Sequence, residues 1–212
     1  NRHELFILTK TAARATVHRS TYMDYIGVLR YDGDGNAIGE YRFIGLLTTS
    51  AYNRRPWEIP VVRQKYEKVM QASGLNLDGH SGKALRQILE TMPREELFQA
   101  TPDQLLQASV SILSLQERFR PKLFIRKDPY GRFFSVLIYL PKDRFNTEIR
   151  TRIEDMLMAA LHGDRELDRG GRRDGFAKSA ARGPVPDSHV RGHRRFLRAA
   201  LRRLHRDGPG HH

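Results

Sequence analysis

The sequence predicts an α+β protein, in which antiparallel hairpins flank a run of amphipathic helices. Two observations on strands and one on helices carry this reading. Residues 22–48 and 122–140 each show β-branched and aromatic residues at period two around a cluster of turn formers. Between them, apolar residues recur at helical spacing from Val62 to Leu115. The order of strands, helices, strands and a final helix reads as α+β units joined by a helical connector.

Taken in order, ELFILTKTAARATVHR has the polarity of a strand or a helix end. YMDYIGVLRY (22–31) and IGEYRFIGLLT (38–48) are two strands joined across the turn formers DGDGN (32–36). The character changes at Asn53, where Pro56 and Pro60 bracket Trp57. Val62, Tyr66, Val69 and Met70 then lie on one face of a helix that Gly74 ends. Ser81 is a candidate cap for a second helix carrying Leu85, Ile88, Leu89 and Met92, stopped at Pro93. Arg94 to Gln99 is a short helical turn. Thr101-Pro102-Asp103-Gln104 places a capping Thr, a Pro at the first helical position and a Gln three residues after the cap, ahead of Leu105, Val110, Leu113 and Leu115.

KLFIRKDPYGRFFSVLIYLPKDRFNTEIRTRI (122–153) reads as strand, turn, strand and helix start. Asp128, Pro129, Tyr130 and Gly131 supply the turn, and Pro141, which has no amide hydrogen, stops the second strand. Phe145, Ile149, Ile153, Met156, Leu157 and Ala160 set the face of the helix. A hairpin ending there leaves Phe133 to Leu140 with an open apolar edge, an expected aggregation liability.

The net charge of +13 is concentrated at one end. Residues 165–212 hold 12 arginines and one lysine against five acidic residues. This tail lacks Ile, Tyr, Asn, Gln, Thr, Met and Trp, and only RRFLRAALRRL (194–204) has helical periodicity. So few apolar residues per charge predict a disordered tail. Its abrupt change of composition after Asp164 reads as a shifted reading frame in a GC-rich gene. The alternative is a basic nucleic-acid- or anion-binding module acting through those arginines, with steep salt dependence. The absence of cysteine excludes disulfides and thiolate metal sites. No apolar run reaches the ~20 residues that span a bilayer, so a soluble, cytoplasmic chain without a membrane partner is expected. Asn1 in place of a methionine reads as an N-terminus that is not a natural translation start.

Each candidate for chemistry has a plainer structural reading. Asp32, Asp34 and Asn36 resemble the start of a calcium loop, but Ala37 stands where the loop needs Gly and Phe43 where it needs Glu, so they read as a hairpin turn. GHSGKAL (79–85) lacks the spacing of a phosphate loop and reads as a structural helix start, with anion binding near Lys83 as the sharper alternative. His18, His80 and His162 lack ligand spacing. Tyr22, Tyr25, Tyr31, Tyr41 and Phe43 are available to stack on bases, yet β-propensity alone places them in strands. No catalytic, cofactor-binding or metal-ligating residue is assigned.

The stretches YMDYIGVLRYDGDGNAIGEYRFIGLLTTSAY, IPVVRQKYEKVMQASGLNLDGHSGKALRQILETMPREELFQ and RFRPKLFIRKDPYGRFFSVLIYLPKDRFNTEIR together resemble the large bacterial NAD-dependent glutamate dehydrogenases. The resemblance runs over residues 1–164. It implies ACT-like (ferredoxin-like) units: 1–52 the C-terminal part of a second unit, 53–118 a helical connector, 119–164 the incomplete start of a third, and 165–212 the tail. It also implies an enzyme oxidising L-glutamate to 2-oxoglutarate and ammonia with NAD, whose catalytic and NAD-binding residues lie outside this chain. This segment would then serve homo-oligomer contacts and sensing of an amino-acid effector. Such a site would use strand ends such as Arg126 to Arg132 and the turn Lys142–Arg144. By itself the chain is expected to be inactive, and nucleic acid enters only through the tail alternative.

Overall fold

A computed structural model describes residues 5–17, 21–115, 122–130, 133–139, 147–161, 164–166 and 176–182. Three strands, β1 (Phe6–Arg14), β2 (Tyr22–Tyr31) and β3 (Ala37–Gly45), form one antiparallel sheet in the order β1-β2-β3. The β2–β3 turn is the predicted hairpin. Asp32 accepts from the amides of Asp34 (3.0 Å) and Asn36 (2.7 Å), and Gly35 takes φ 84°. These bonds, the one from the Asn36 amide foremost, hold the Asp32 carboxyl below its usual range.

Helices α1 (Thr49–Asn53), α2 (Pro60–Ala72), α3 (His80–Thr91), α4 (Arg94–Gln99) and α5 (Pro102–Leu113) follow, with a 3-10 turn at Pro56–Glu58. The main core lies among them. Val62, Val69, Leu85, Leu89, Leu105 and Ile112 are essentially closed to solvent. The cap expected for α5 forms on both sides: Thr101 Oγ1 accepts from the Gln104 amide (3.3 Å), and Gln104 Oε1 accepts from the Thr101 amide (3.0 Å). The α3 start differs from expectation, because Gly79 rather than Ser81 is the N-cap. Helical bonding begins ahead of Ser81, with the Lys83 amide donating to Gly79 O at 3.1 Å. A Cβ on Gly82 would meet Asn76 O at 2.3 Å and the Leu77 Cα at 2.6 Å, so the 76–77 backbone presses directly on the first turn.

The second sheet has the order β4-β5-β7-β6, built from β4 (Lys122–Lys127), β5 (Phe133–Tyr139), β6 (Asp164–Glu166) and β7 (Phe176–Arg182), all antiparallel. Helix α6 (Thr147–Leu161) lies between β5 and β6 in sequence and buries Ile153 and Leu157. On β5, Leu137 joins the helical core, and Phe134, Val136 and Ile138 on the alternate face are buried as well. The strand therefore has the near-continuous apolar run of one covered on both sides.

Two expectations are corrected here. The tail is not without structure throughout, since β6 reaches Glu166 and β7 is made wholly of tail residues. The edge of β5 is not open, because Phe133–Tyr139 pairs with Phe176–Arg182 over its whole length. Unpaired amides and carbonyls along a strand edge recruit any extended segment able to complete the ladder. FAKSAAR has no proline to interrupt one. His18, Arg132, Pro141, the Lys142–Arg144 turn, Phe145, His162 and the segment 194–204 lie outside the described residues. No described helix is long and apolar enough to cross a membrane.

Candidate functional site at the helix–sheet junction

The described residues converge on polar chemistry where the helical block meets the second sheet. Short helix α4 points Glu96 and Gln99 at the end of β4, where Arg126 follows the apolar residues Leu123 to Ile125. The guanidinium forks onto the carboxylate, with Nη2 to Glu96 Oε1 at 3.1 Å and Nε to Glu96 Oε2 at 3.3 Å. Nη2 also donates to Gln99 Oε1 at 2.9 Å, and the Ser135 hydroxyl of β5 donates to Glu96 Oε1. The side chains of Arg126 and Glu96 are only 10% and 8% exposed, so the pair is desolvated, and its geometry is bidentate.

Above this floor opens a cleft of about 340 Å³ between α5 and β4. Gln107, Ser111 and Lys122 are among its polar lining residues, and Met92, Leu105 and Phe124 among its apolar ones. The size is at the lower end for a small-molecule pocket.

A second junction lies two residues along the same strand end. Asp128, 2% exposed, accepts from the hydroxyl of Thr9 on β1, itself 4% exposed. Asp128 Oδ2 also accepts from the Tyr130 amide (3.1 Å), and the Asp128 amide closes the turn on Phe133 O (3.0 Å). Tyr130 then meets Tyr25 of β2 edge to face, at 6.4 Å and 78°. The end of β4 is therefore tied to α4 by one residue and to the first sheet by another. Two further polar ties support the frame. Lys10 and Asp24 pair across β1 and β2 at 2.7 Å, while Lys65 Nζ donates to Phe98 O (2.5 Å) and Ala100 O (2.8 Å) at the C-terminus of α4.

Of the strand-end residues Arg126 to Arg132 singled out in the sequence, Arg126 enters the first junction, and Asp128 and Tyr130 the second. Tyr22 lies under Arg14 (4.7 Å) and Tyr41 under Arg30 (5.4 Å), while Tyr25 donates to Glu40 Oε1 at 2.5 Å. Burial first, then the hydrogen bond to Glu40 and its charge, push the Tyr25 phenol up to about 12. Glu96, Gln99, Ser135 and Thr9 were not foreseen, nor was the bond from Thr9 to Asp128. Their partners are 27 to 119 residues away in sequence. The available signal was the acidic pair Glu95-Glu96 inside a helix whose residues Leu97 and Phe98 are core. Among the described residues no group of His, Cys, Asp or Glu has the arrangement to hold a metal.

Comparison with known proteins bears on what this junction joins. Residues 59–118 match the family model of glutamate dehydrogenase helical motif 1, and residues 122–169 match that of the glutamate dehydrogenase ACT2 domain. The second match corrects the ordinal expected for 119–164, which is the second ACT unit and not a third. The NAD-specific glutamate dehydrogenase of Halomonas elongata is 44% identical over 158 residues, covering 74% of this chain and 10% of that protein. The enzymes of the same name from Pseudomonas aeruginosa and Mycobacterium tuberculosis are 43% and 30% identical over 157 and 162 residues, covering 74% and 76% of this chain. The chain spans about a tenth of the length of these relatives.

Proposed function

The chain belongs to the NAD-specific glutamate dehydrogenase family, and on that premise we propose that it is a non-catalytic regulatory and assembly segment of such an enzyme. The whole enzyme would oxidise L-glutamate to 2-oxoglutarate and ammonia while reducing NAD in the cytoplasm, as a homo-oligomer. The observation that carries the regulatory reading is the buried Glu96–Arg126 pair with Ser135 and Gln99. It locks the helical motif to the ACT2 sheet through charge rather than through apolar contact alone. A desolvated ion pair is costly to break and tolerates little displacement, so it transmits a shift of one unit to the other.

An amino-acid effector is the partner this arrangement would take. The cleft over the pair offers the Lys122 cation to a carboxylate, and Gln107 and Ser111 to a polar head, within walls of Leu105 and Phe124. No residue here is assigned to hydride transfer or to NAD. The test has two arms. The purified chain given glutamate and NAD is expected to form no NADH. In a longer enzyme carrying this segment, Arg126→Met is expected to alter the response to amino-acid effectors while leaving KM for NAD unchanged. NADH formation by the isolated chain, or loss of NAD binding in the variant, would overturn the proposal.

A further inference from the structure

The cleft between α5 and β4 is lined unevenly in charge. Glu96 is the one acid among its lining residues, while Lys122 and Arg126 both bring cations. The Glu96 carboxylate is engaged at both oxygens, Oε1 by Arg126 Nη2 and the Ser135 hydroxyl, Oε2 by Arg126 Nε. Arg126 is not exhausted by that pair, because a guanidinium carries more N–H donors than one carboxylate takes. Its Nε and Nη2 are spent on Glu96 and Gln99, and Nη1 makes no hydrogen bond among the described residues. Lys122, half-buried at the other end of the cleft, makes neither a hydrogen bond nor an ion pair among them.

We propose that the cleft binds a short linear dicarboxylate, with one carboxylate on Arg126 Nη1 and the other on Lys122. The inference rests on the reading of the cleft as an effector site and narrows its ligand. Lys122 and Arg126 lie on one face of β4 with Phe124 between them. Four residues of extended strand set their Cα atoms ~13 Å apart, and the length of both side chains shortens the gap between their charges. Helix α5 forms the opposite wall. Gln104, Gln107, Ala108 and Ser111 recur there at helical spacing, so they share the face over the cleft. Floor and walls come from α4, α5, β4 and β5, and none of the recognising groups depends on an open sheet edge.

Charge balance sets the selectivity. An amino acid with an apolar side chain has one carboxylate for two cations, and leaves one of them without an acceptor in a largely desolvated site. A basic amino acid adds a third cation where the one acid is already paired. A ligand with two carboxylates meets both cations. Its remaining polar group, an oxo or an ammonium, is left to Gln107 and Ser111 of α5. A 2-oxo diacid and an acidic amino acid therefore share the chemistry that this cleft recognises.

The test is isothermal titration calorimetry of the 212-residue chain with glutarate, 2-oxoglutarate, L-glutamate, L-leucine and L-arginine in turn. Salt is held at ~0.15 M, where attraction to distant charges is screened. Glutarate is expected to bind at one site per chain, and L-leucine and L-arginine about tenfold more weakly. Both 2-oxoglutarate and L-glutamate are expected to bind, and the tighter of the two identifies the natural source. Lys122→Gln is expected to weaken glutarate about tenfold with an unchanged circular dichroism spectrum. Gln107→Glu, at an exposed position on α5, places a carboxylate beside the ligand and is expected to weaken it as well. Absence of glutarate binding would overturn the proposal. So would binding that Lys122→Gln leaves unchanged, which would assign the anion to the arginines of residues 165–212. L-leucine or L-arginine binding as tightly as glutarate would overturn the dicarboxylate assignment and leave the cleft an effector site, whose regulatory role is decided separately by the Arg126→Met response.

Discussion

Replacing Arg126 by Met keeps the length and the apolar stem of the side chain while deleting the guanidinium. Glu96 then stays at the floor of the cleft, its side chain 8% exposed, and keeps the bond from the Ser135 hydroxyl. Removing one partner of a buried pair costs about 3–5 kcal/mol, because the surviving charge loses the counter-ion that offset its desolvation. Both side chains are nearly closed to solvent, so screening does little to reduce this figure. For a chain of this size such a loss lowers the melting temperature by about 10 °C. The measurement is urea unfolding followed by circular dichroism for the wild type, Arg126→Met, Glu96→Gln and the double variant. The double variant is expected to be more stable than Arg126→Met, since it removes the buried charge together with its counter-ion. The four values define the coupling between the two side chains. An Arg126→Met midpoint within error of wild type would refute the claim that this pair locks the helical block to the sheet.

Gly82→Ala is expected to destabilise the chain by about 1–3 kcal/mol despite the better helix propensity of alanine, because the new Cβ meets Asn76–Leu77 backbone. Gly33→Ala, where nothing lies within 4 Å, is the control, and thermal melts of the two compare them directly. Tyr25 titration gives a pH window. Its folded value of about 12 exceeds the ordinary 10.0, so the neutral phenol favours the folded state. That contribution is complete below pH 10 and declines as pH rises toward 12. Glu40→Gln is expected to bring the ultraviolet phenolate transition of Tyr25 down toward its ordinary range.

Much of the local architecture is legible in the sequence because it is decided locally. Strand β2 occupies the residues that alternation marks, 22–31, and the Thr101–Gln104 box caps α5 on both sides. Where the sequence misleads, a distant group decides. Ser81 looks like a cap, but the Asn76–Gly79 turn leads into the helix two residues earlier, so Gly79 is the cap. Helix α1 escapes notice because its five residues, TSAYN, bury nothing and so carry no apolar period. FAKSAAR has too little apolar character to be marked as a strand, and becomes one by completing the ladder of β5. The junction is the least legible part. An arginine at the end of a strand and a glutamate 30 residues earlier are ordinary surface residues until the fold buries both.

The two polar ties at the end of β4 are too close to act separately. Arg126 reaches back to α4, Asp128 reaches across to Thr9 of β1, and one residue lies between them. The Asp128 amide is also bonded to Phe133 O, so the turn and the strand end form one hydrogen-bonded piece. If that piece moves as a body, loosening either tie changes the geometry of the other. Thr9→Val removes a buried donor and is expected to cost about 1–3 kcal/mol alone. Combined with Arg126→Met, its cost should differ from the sum of the single effects by about 0.5 kcal/mol or more, as for residues in one network. Strict additivity would mean that the first sheet and the helical block hold β4 independently. Coupling would mean that a displacement felt in the cleft reaches β1 and, through its ladder, β2 of the first sheet.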